Sequence, residues 1–300
     1  MAASAARLTA EMNLPMLVVG GDGTLGGALA AAASSHNMPF WRTTRRFHGV
    51  GPTCFQFDLA KPSAQWNLPP QQFATAVLAA GMTSIQACET QPELTRRINV
   101  LQPLLLAQRL WDQGAFVVCL SSSTVFDGKT PFAKPTDATR PMSEYGRQKQ
   151  ALEHGLLALG ERVAIIRLSK VIAPNNALFS GWRRDLLSGQ VIRPFSDMAV
   201  APVSLPFAVA AVHHIARARD AGLHQISAAA DASYADLANH MAAVLQAPAG
   251  LVCPRSVAGT HVGFWPKFAA LDCSALARLG FVAPPAFKAV DQFMMDASDA

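Results

Sequence analysis

Short apolar runs alternate with helix-like segments through the first half of this chain, and that rhythm restricts the fold more than any other feature. PMLVV (15–19) is an apolar run that ends in glycine, and 24–34 is alanine- and leucine-rich and reads as helix. PFWRTT, CFQFDL and FATAVLAAG read as second, third and fourth strands, the last entering a turn of small residues. Residues 92–112 carry helical periodicity, AFVVCLSS is a continuously apolar fifth strand, 143–157 is a helix, and RVAIIRLS is a sixth strand. Such βαβ alternation predicts an α/β fold with a doubly wound parallel sheet. The pattern loosens after about residue 172. The expected division is therefore a dinucleotide-binding domain over 14–172 and a smaller lobe over 173–300, interleaved with the first. Within that lobe LFSGWRRDLLSG and SYADLANHMAAVL read as helices, the second with Ser233 as N-cap and Asp236 at capping-box spacing. VAPVSLPFAVAAVHHIARA reads as a short strand followed by a helix.

Composition removes several classes of function. Hydrophobic residues make up 51% of 300, which is enough for a sizeable core. The net charge of +5 is mild, and no Lys/Arg tract is interleaved with aromatics, so nucleic acid is not an expected partner. No window reaches the ~18 apolar residues of a membrane span. The opening MAASAARLTAEMNLP is interrupted by Glu11 and does not read as a signal peptide. The five cysteines are scattered without a CxxC pair, as expected of reduced structural thiols in a cytoplasm. His213 and His214 are adjacent and would diverge by ~100° on a helix, so no metal site is expected there.

Chemistry enters through two motifs. Gly20, Gly23 and Gly26 stand between an apolar strand and a helix, the context of a dinucleotide-binding loop. The first glycine permits a tight turn, the second lets backbone approach a pyrophosphate, and the third lets helix pack on strand. The helix N-terminus, with Thr24 and Leu25, offers free N–H groups to phosphate. The second strand ends in RTTRR rather than in an acid. Arg45 and Arg46 suit a 2′-phosphate, so NADP(H) is favoured over NAD(H). Asp58 and Leu59 end the third strand, where the carboxylate could accept from an adenine amino group. Ala79, Ala80 and Gly81 are small enough for a cofactor to lie against the backbone.

The second motif is YGRQK. Only two tyrosines occur in the chain, and Tyr145 stands four positions before Lys149. On a helix that spacing puts both on one face. Reduction of a carbonyl needs a proton donor at oxygen while hydride reaches carbon. A phenol has an unperturbed pKa of about 10, and a neighbouring cation favours the phenolate. Ser122, in the upstream LSSSTVF, would orient the carbonyl oxygen.

Taken together, the chain resembles the extended short-chain dehydrogenases/reductases, and within them the dTDP-4-dehydrorhamnose reductase family. SSSTVFDG (121–128) resembles STDYVFDG and places Ser122 at the family's catalytic threonine. PMSEYGRQKQALE resembles P-x-N-x-YG-x-x-K-x-x-x-E, which implies Tyr145 and Lys149 as the catalytic pair, both also touching cofactor. AAGMTSIQACE, INVLQP with Asn99, and LDCSAL also match in order. The resemblance implies a nucleotide-sugar substrate, and a homo-oligomer is compatible with it. The departures fall on the substrate side. Ser169, Lys170, Val171, Ile172 and Ala173 replace Ser/Thr-Trp-Val-Tyr-Gly, Ser123 replaces an acid, and DMAVAPV replaces a DQxGSPT-like segment. Ser123, Lys170 and Arg183 are the candidate substrate contacts. Arg183 and Arg184 either grip a diphosphate with Trp182 stacked on the base, or belong to a helix with Trp182, Leu186 and Leu187 inward.

A dehydratase would need an Asp–Glu pair where Ser123 and Thr124 stand. Reduction of a 4-keto sugar needs only the residues present. An epimerase, or a non-catalytic NADP-binding regulatory subunit like that of methionine adenosyltransferase, remains as the alternative.

Overall fold

The computed structural model describes residues 14–36, 38–260 and 263–297. Residues 1–13 of the opening MAASAARLTAEMNLP fall outside them. In chain order the elements are β1 (Met16–Val19), α1 (Thr24–Ser35), β2 (Phe40–Thr44), β3 (Cys54–Gln56), β4 (Thr75–Leu78), α2 (Ile85–Thr90), α3 (Pro92–Arg96), a π-helical turn (Arg97–Leu101), α4 (Gln102–Asp112) and β5 (Phe116–Ser122). Then follow α5 (Glu144–Leu157), β6 (Val163–Leu168), β7 (Val171–Ile172), α6 (Ala177–Leu187), β8 (Ala199–Val200), β9 (Val203–Ser204), α7 (Leu205–Ala218), β10 (Gly222–Ile226), β11 (Ala232–Ser233), α8 (Tyr234–Val244), α9 (Ser274–Arg278) and α10 (Phe287–Asp296).

The main sheet has seven strands in the order β10-β6-β5-β4-β1-β2-β3. The β3–β2–β1–β4–β5 pairs are parallel, as the alternating pattern predicts. All four residues of β1 and all six of β6 are buried; β1 is wholly apolar, and β6 is apolar except for Arg167. The order reverses direction between β1 and β4. Ligands bind such folds at that point, outside the carboxyl ends of the strands.

Two compact units share the chain. The first holds the chain through Ser122, then Glu144–Arg167 and Val209–His224. The second holds Ser123–Ser143, Leu168–Ala208 and everything from Gln225 on. The chain thus passes between the units several times. The physical reason lies in β10, which joins the main sheet although α6, β7, β8 and β9 precede it in sequence.

The core of the first unit gathers Leu17, Val19, Leu78, Leu106, Val117, Leu156 and Ile165. The second unit builds its own core around Phe179, Trp182, Leu186, Leu237, Met241 and Phe293. Ser233 and Asp236 form the expected capping box on α8.

Several sequence expectations need correction. The third strand is only Cys54–Gln56, so Asp58 and Leu59 follow it in a turn, where the Asp58 carboxylate accepts from the Ala60 amide at 2.9 Å. The helix expected over 92–112 is continuous but changes to a π-helical turn over Arg97–Leu101, where buried Asn99 bonds the chain at Met82. Leu187 is 58% exposed rather than inward, since it closes the last turn of α6. Trp182 is buried beside Phe179, at 5.2 Å between ring centroids, so its indole packs the core and does not offer a face to a base. No helix among the described residues is long and apolar enough to cross a membrane.

Candidate active site

The glycine loop leaves β1 at Gly20, whose φ of 96° lies in the region that only glycine adopts without strain. A Cβ there would come within 2.7 Å of the Ala80 amide nitrogen. This close approach brings the β1 and β4 turns together at Ala80. A Cβ on Gly26 would collide with the Gly20 carbonyl, so α1 seats directly on the loop. Gly23 is the N-cap of α1 and contributes no side-chain cap, which leaves first-turn amides without a side-chain partner from that position. These are the features of a cradle for a pyrophosphate: free helix-end N–H groups and a backbone that no side chain screens.

Gly26→Ala is accordingly expected to destabilise the fold by about 1–3 kcal/mol, the usual range for overpacking. Urea denaturation checks this, with Gly51→Ala as control, since nothing lies within 4 Å of a Cβ there.

The end of β2 is tied to this loop. The Gly20 amide donates to Thr43 Oγ1 at 2.8 Å, and the Gly21 amide donates to the Thr43 carbonyl at 3.0 Å. Arg45 and Arg46 follow, both exposed.

Tyr145 and Lys149 stand on the buried face of α5, at 9% and 7% exposure. The Lys149 ammonium donates to the Leu120 carbonyl of β5 at 2.9 Å and lies 5.8 Å from the centroid of the Tyr145 ring. Ser122 ends the same strand two residues on. The sheet therefore anchors the lysine, the lysine flanks the tyrosine, and the serine shares the strand end.

Two supporting networks were not anticipated from the sequence as parts of the site. Asn99 accepts from the Met82 amide at 2.8 Å and donates to the Met82 carbonyl and to Gln148 Oε1, each at 2.9 Å. Gln148 in turn donates to Thr95 Oγ1 at 2.9 Å. This ties the turn after β4 to the helix that carries Tyr145. Glu153, one turn beyond Lys149, accepts from Ser121 Oγ at 2.5 Å and from Arg167 Nη2 at 2.7 Å. All three residues are buried. The signal for Glu153 was present, as the glutamate of the YG-x-x-K-x-x-x-E stretch. Nothing in the sequence pairs it with Ser121 and Arg167.

The substrate candidates belong to the second unit. Ser123 opens a short 3-10 turn and its carbonyl accepts from the Phe126 amide at 3.1 Å. Lys170 lies between β6 and β7. It is exposed overall, yet burial around its ammonium pulls it below the usual lysine range. Arg183 is half-buried on α6. The cysteines behave as structural thiols where burial dominates: Cys119 is pushed up to about 11, and burial also raises Cys54, Cys88 and Cys273.

A parallel sheet with a glycine loop at its switch point, and a Tyr–Lys helix against its fifth strand, is the layout of an extended short-chain dehydrogenase/reductase. More narrowly, the chain belongs to the RmlD substrate binding domain family, whose model matches residues 12–298. It is 26% identical to a dTDP-4-dehydrorhamnose reductase of Mycobacterium tuberculosis over 161 residues, covering 52% of this chain and 50% of that protein. It is 29% identical to methionine adenosyltransferase 2 subunit beta of Mus musculus over 163 residues, covering 53% and 48%. The chain spans about half the length of the curated relatives it matches. Among solved structures it is similar to a dTDP-4-dehydrorhamnose reductase of Bacillus anthracis in complex with NADP. The TM-score is 0.81 at 18% identity, over 94% of this chain and 98% of that one, which is a likeness of fold.

Proposed function

We propose that this protein is an NADPH-dependent reductase of a 4-keto nucleotide sugar. The observation that carries the reading is the Lys149 bond to the Leu120 carbonyl, which holds the ammonium beside Tyr145 and next to the strand end bearing Ser122.

The residues present fit a nicotinamide dinucleotide. Gly20, Gly23, Thr24, Leu25 and Gly26 would hold its pyrophosphate, Arg45 and Arg46 its 2′-phosphate, and Asp58, Leu59 and Ala79–Gly81 its adenosine half. When bound, the reduced nicotinamide supplies hydride. The protein supplies the rest. Ser122 donates to the substrate carbonyl oxygen and orients it. Tyr145 gives its hydroxyl proton to that oxygen as negative charge develops there. Lys149 stabilises the charge left on the phenol oxygen and would hold the nicotinamide ribose. Ser123, Lys170 and Arg183 contact the nucleotide sugar.

The arginines make a separable prediction. Arg45→Ala with Arg46→Ala should weaken NADPH by at least ~10-fold, the scale of losing charge-assisted contacts to phosphate, and weaken NADH far less. Equal losses for both would contradict the assignment of the 2′-phosphate. Titration of the reduced nicotinamide fluorescence reads both.

The reading is tested by NADPH oxidation, with NADH in parallel, against a panel of 4-keto nucleotide sugars. Turnover that vanishes in Tyr145→Phe supports it. Similarity to methionine adenosyltransferase 2 subunit beta favours a second reading, a dinucleotide-binding subunit without turnover. Tight NADPH binding with no oxidation across the panel would move the conclusion there.

A further inference from the structure

We propose that Asp22, in the glycine loop, is a second determinant of cofactor choice, whose carboxylate opposes the 2′-phosphate that Arg45 and Arg46 attract and accepts from a ribose 2′-hydroxyl instead. The inference rests on the dinucleotide site proposed above.

In dinucleotide folds the end of the second strand discriminates the two cofactors. A carboxylate there binds the 2′-hydroxyl, and an arginine accommodates the 2′-phosphate. The strand itself carries no acid here, since it reads FWRTT followed by Arg45 and Arg46. The fold brings one in from the other side. Thr44 Oγ1 donates to both Asp22 oxygens at 2.9 Å, and the Arg45 amide donates to Asp22 Oδ2 at 2.8 Å. The carboxylate is thereby fixed against the strand end while its residue stays exposed.

The charge is secure. Burial works to raise the Asp22 carboxyl. The bonds from Arg45 and Thr44, with the Arg46 and Arg45 charges, outweigh it and hold the group below the usual carboxylate range. An ionised carboxylate offers about four lone-pair directions, so these donors do not exhaust its capacity to accept. The two guanidinium charges on which a 2′-phosphate would rely are thus partly offset by an anion placed among them. A neutral 2′-hydroxyl meets no such opposition and finds an acceptor.

Asp22→Asn separates charge from shape. The amide oxygen can keep the Arg45 bond, and its NH2 can donate to Thr44 Oγ1. The experiment measures dissociation constants of NADPH and NADH for the full-length wild type and the variant, by nicotinamide fluorescence at low and at high salt. NADPH should bind several-fold tighter to the variant and NADH several-fold weaker, moving their ratio about tenfold at low salt, the sum of two partly exposed charge effects. High salt should shrink that change, because the effect is electrostatic. A ratio that stays fixed, whether both affinities fall together or neither moves, overturns the proposal and leaves Asp22 as a loop latch only. Thermal melting of Asp22→Asn guards against misfolding. Asp22→Ser gives a second neutral variant that should move the ratio in the same direction. Failure of the underlying reading looks different: the wild type would bind neither dinucleotide.

Discussion

Replacing Tyr145 with phenylalanine should lower NADPH-dependent turnover by ~10²–10⁴-fold, the usual contribution of a positioned general acid. The substitution removes one oxygen from a side chain that is otherwise buried. The fold should therefore persist, and NADPH should bind nearly as before. Lys149 keeps its anchor on the Leu120 carbonyl, because that bond does not pass through the tyrosine. Steady-state oxidation and cofactor titration on the same preparation check both halves. Retained turnover would remove Tyr145 from the mechanism. Lost binding would mean that the hydroxyl, not the lysine and the glycine loop, positions the cofactor.

The second large effect concerns stability. Arg167→Met should destabilise the protein by about 3–5 kcal/mol, the cost of leaving one partner of a buried ion pair uncompensated. The Glu153 and Arg167 side chains are 3% and 4% exposed, and Nη2 to Oε2 is 2.7 Å. Without the guanidinium, the carboxylate would keep the Ser121 hydroxyl but lose its ion-pair partner. The double variant Glu153→Leu, Arg167→Met should recover much of the loss, since a well-packed apolar pair can match a buried ion pair. Urea midpoints of the two variants decide the point. Equal losses in the single and double variants would show that packing volume, not unpaired charge, is what the site defends.

Much of the fold was legible because buried parallel strands write themselves as apolar runs. PMLVV, AFVVCLSS and RVAIIRLS all became central strands. The strand β10 went unread because GLHQI carries His224 and Gln225, polar residues that are buried nonetheless. Periodicity registers hydrophobicity, and it misses a strand whose buried positions are polar. The same limit applies around the site. The YxxxK spacing put Tyr145 and Lys149 on one helix face, because helical geometry is local. Asp22 meeting Thr44, and Glu153 meeting Ser121 and Arg167, depend on which strands become neighbours, and local spacing does not carry that information.

The late arrival of β10 has a consequence for synthesis. When the ribosome has released the chain only as far as residue 172, the sheet holds six of its seven strands. The outer side of β6 then has no partner, and an unpaired strand edge invites pairing with other chains. Residues 222–226 close that edge only after some fifty further residues have emerged, at roughly 5–20 per second. The nascent protein thus passes through an interval of several seconds in which its glycine loop and Tyr–Lys helix already exist but its sheet is open. A fragment cut at residue 172 would make that interval permanent.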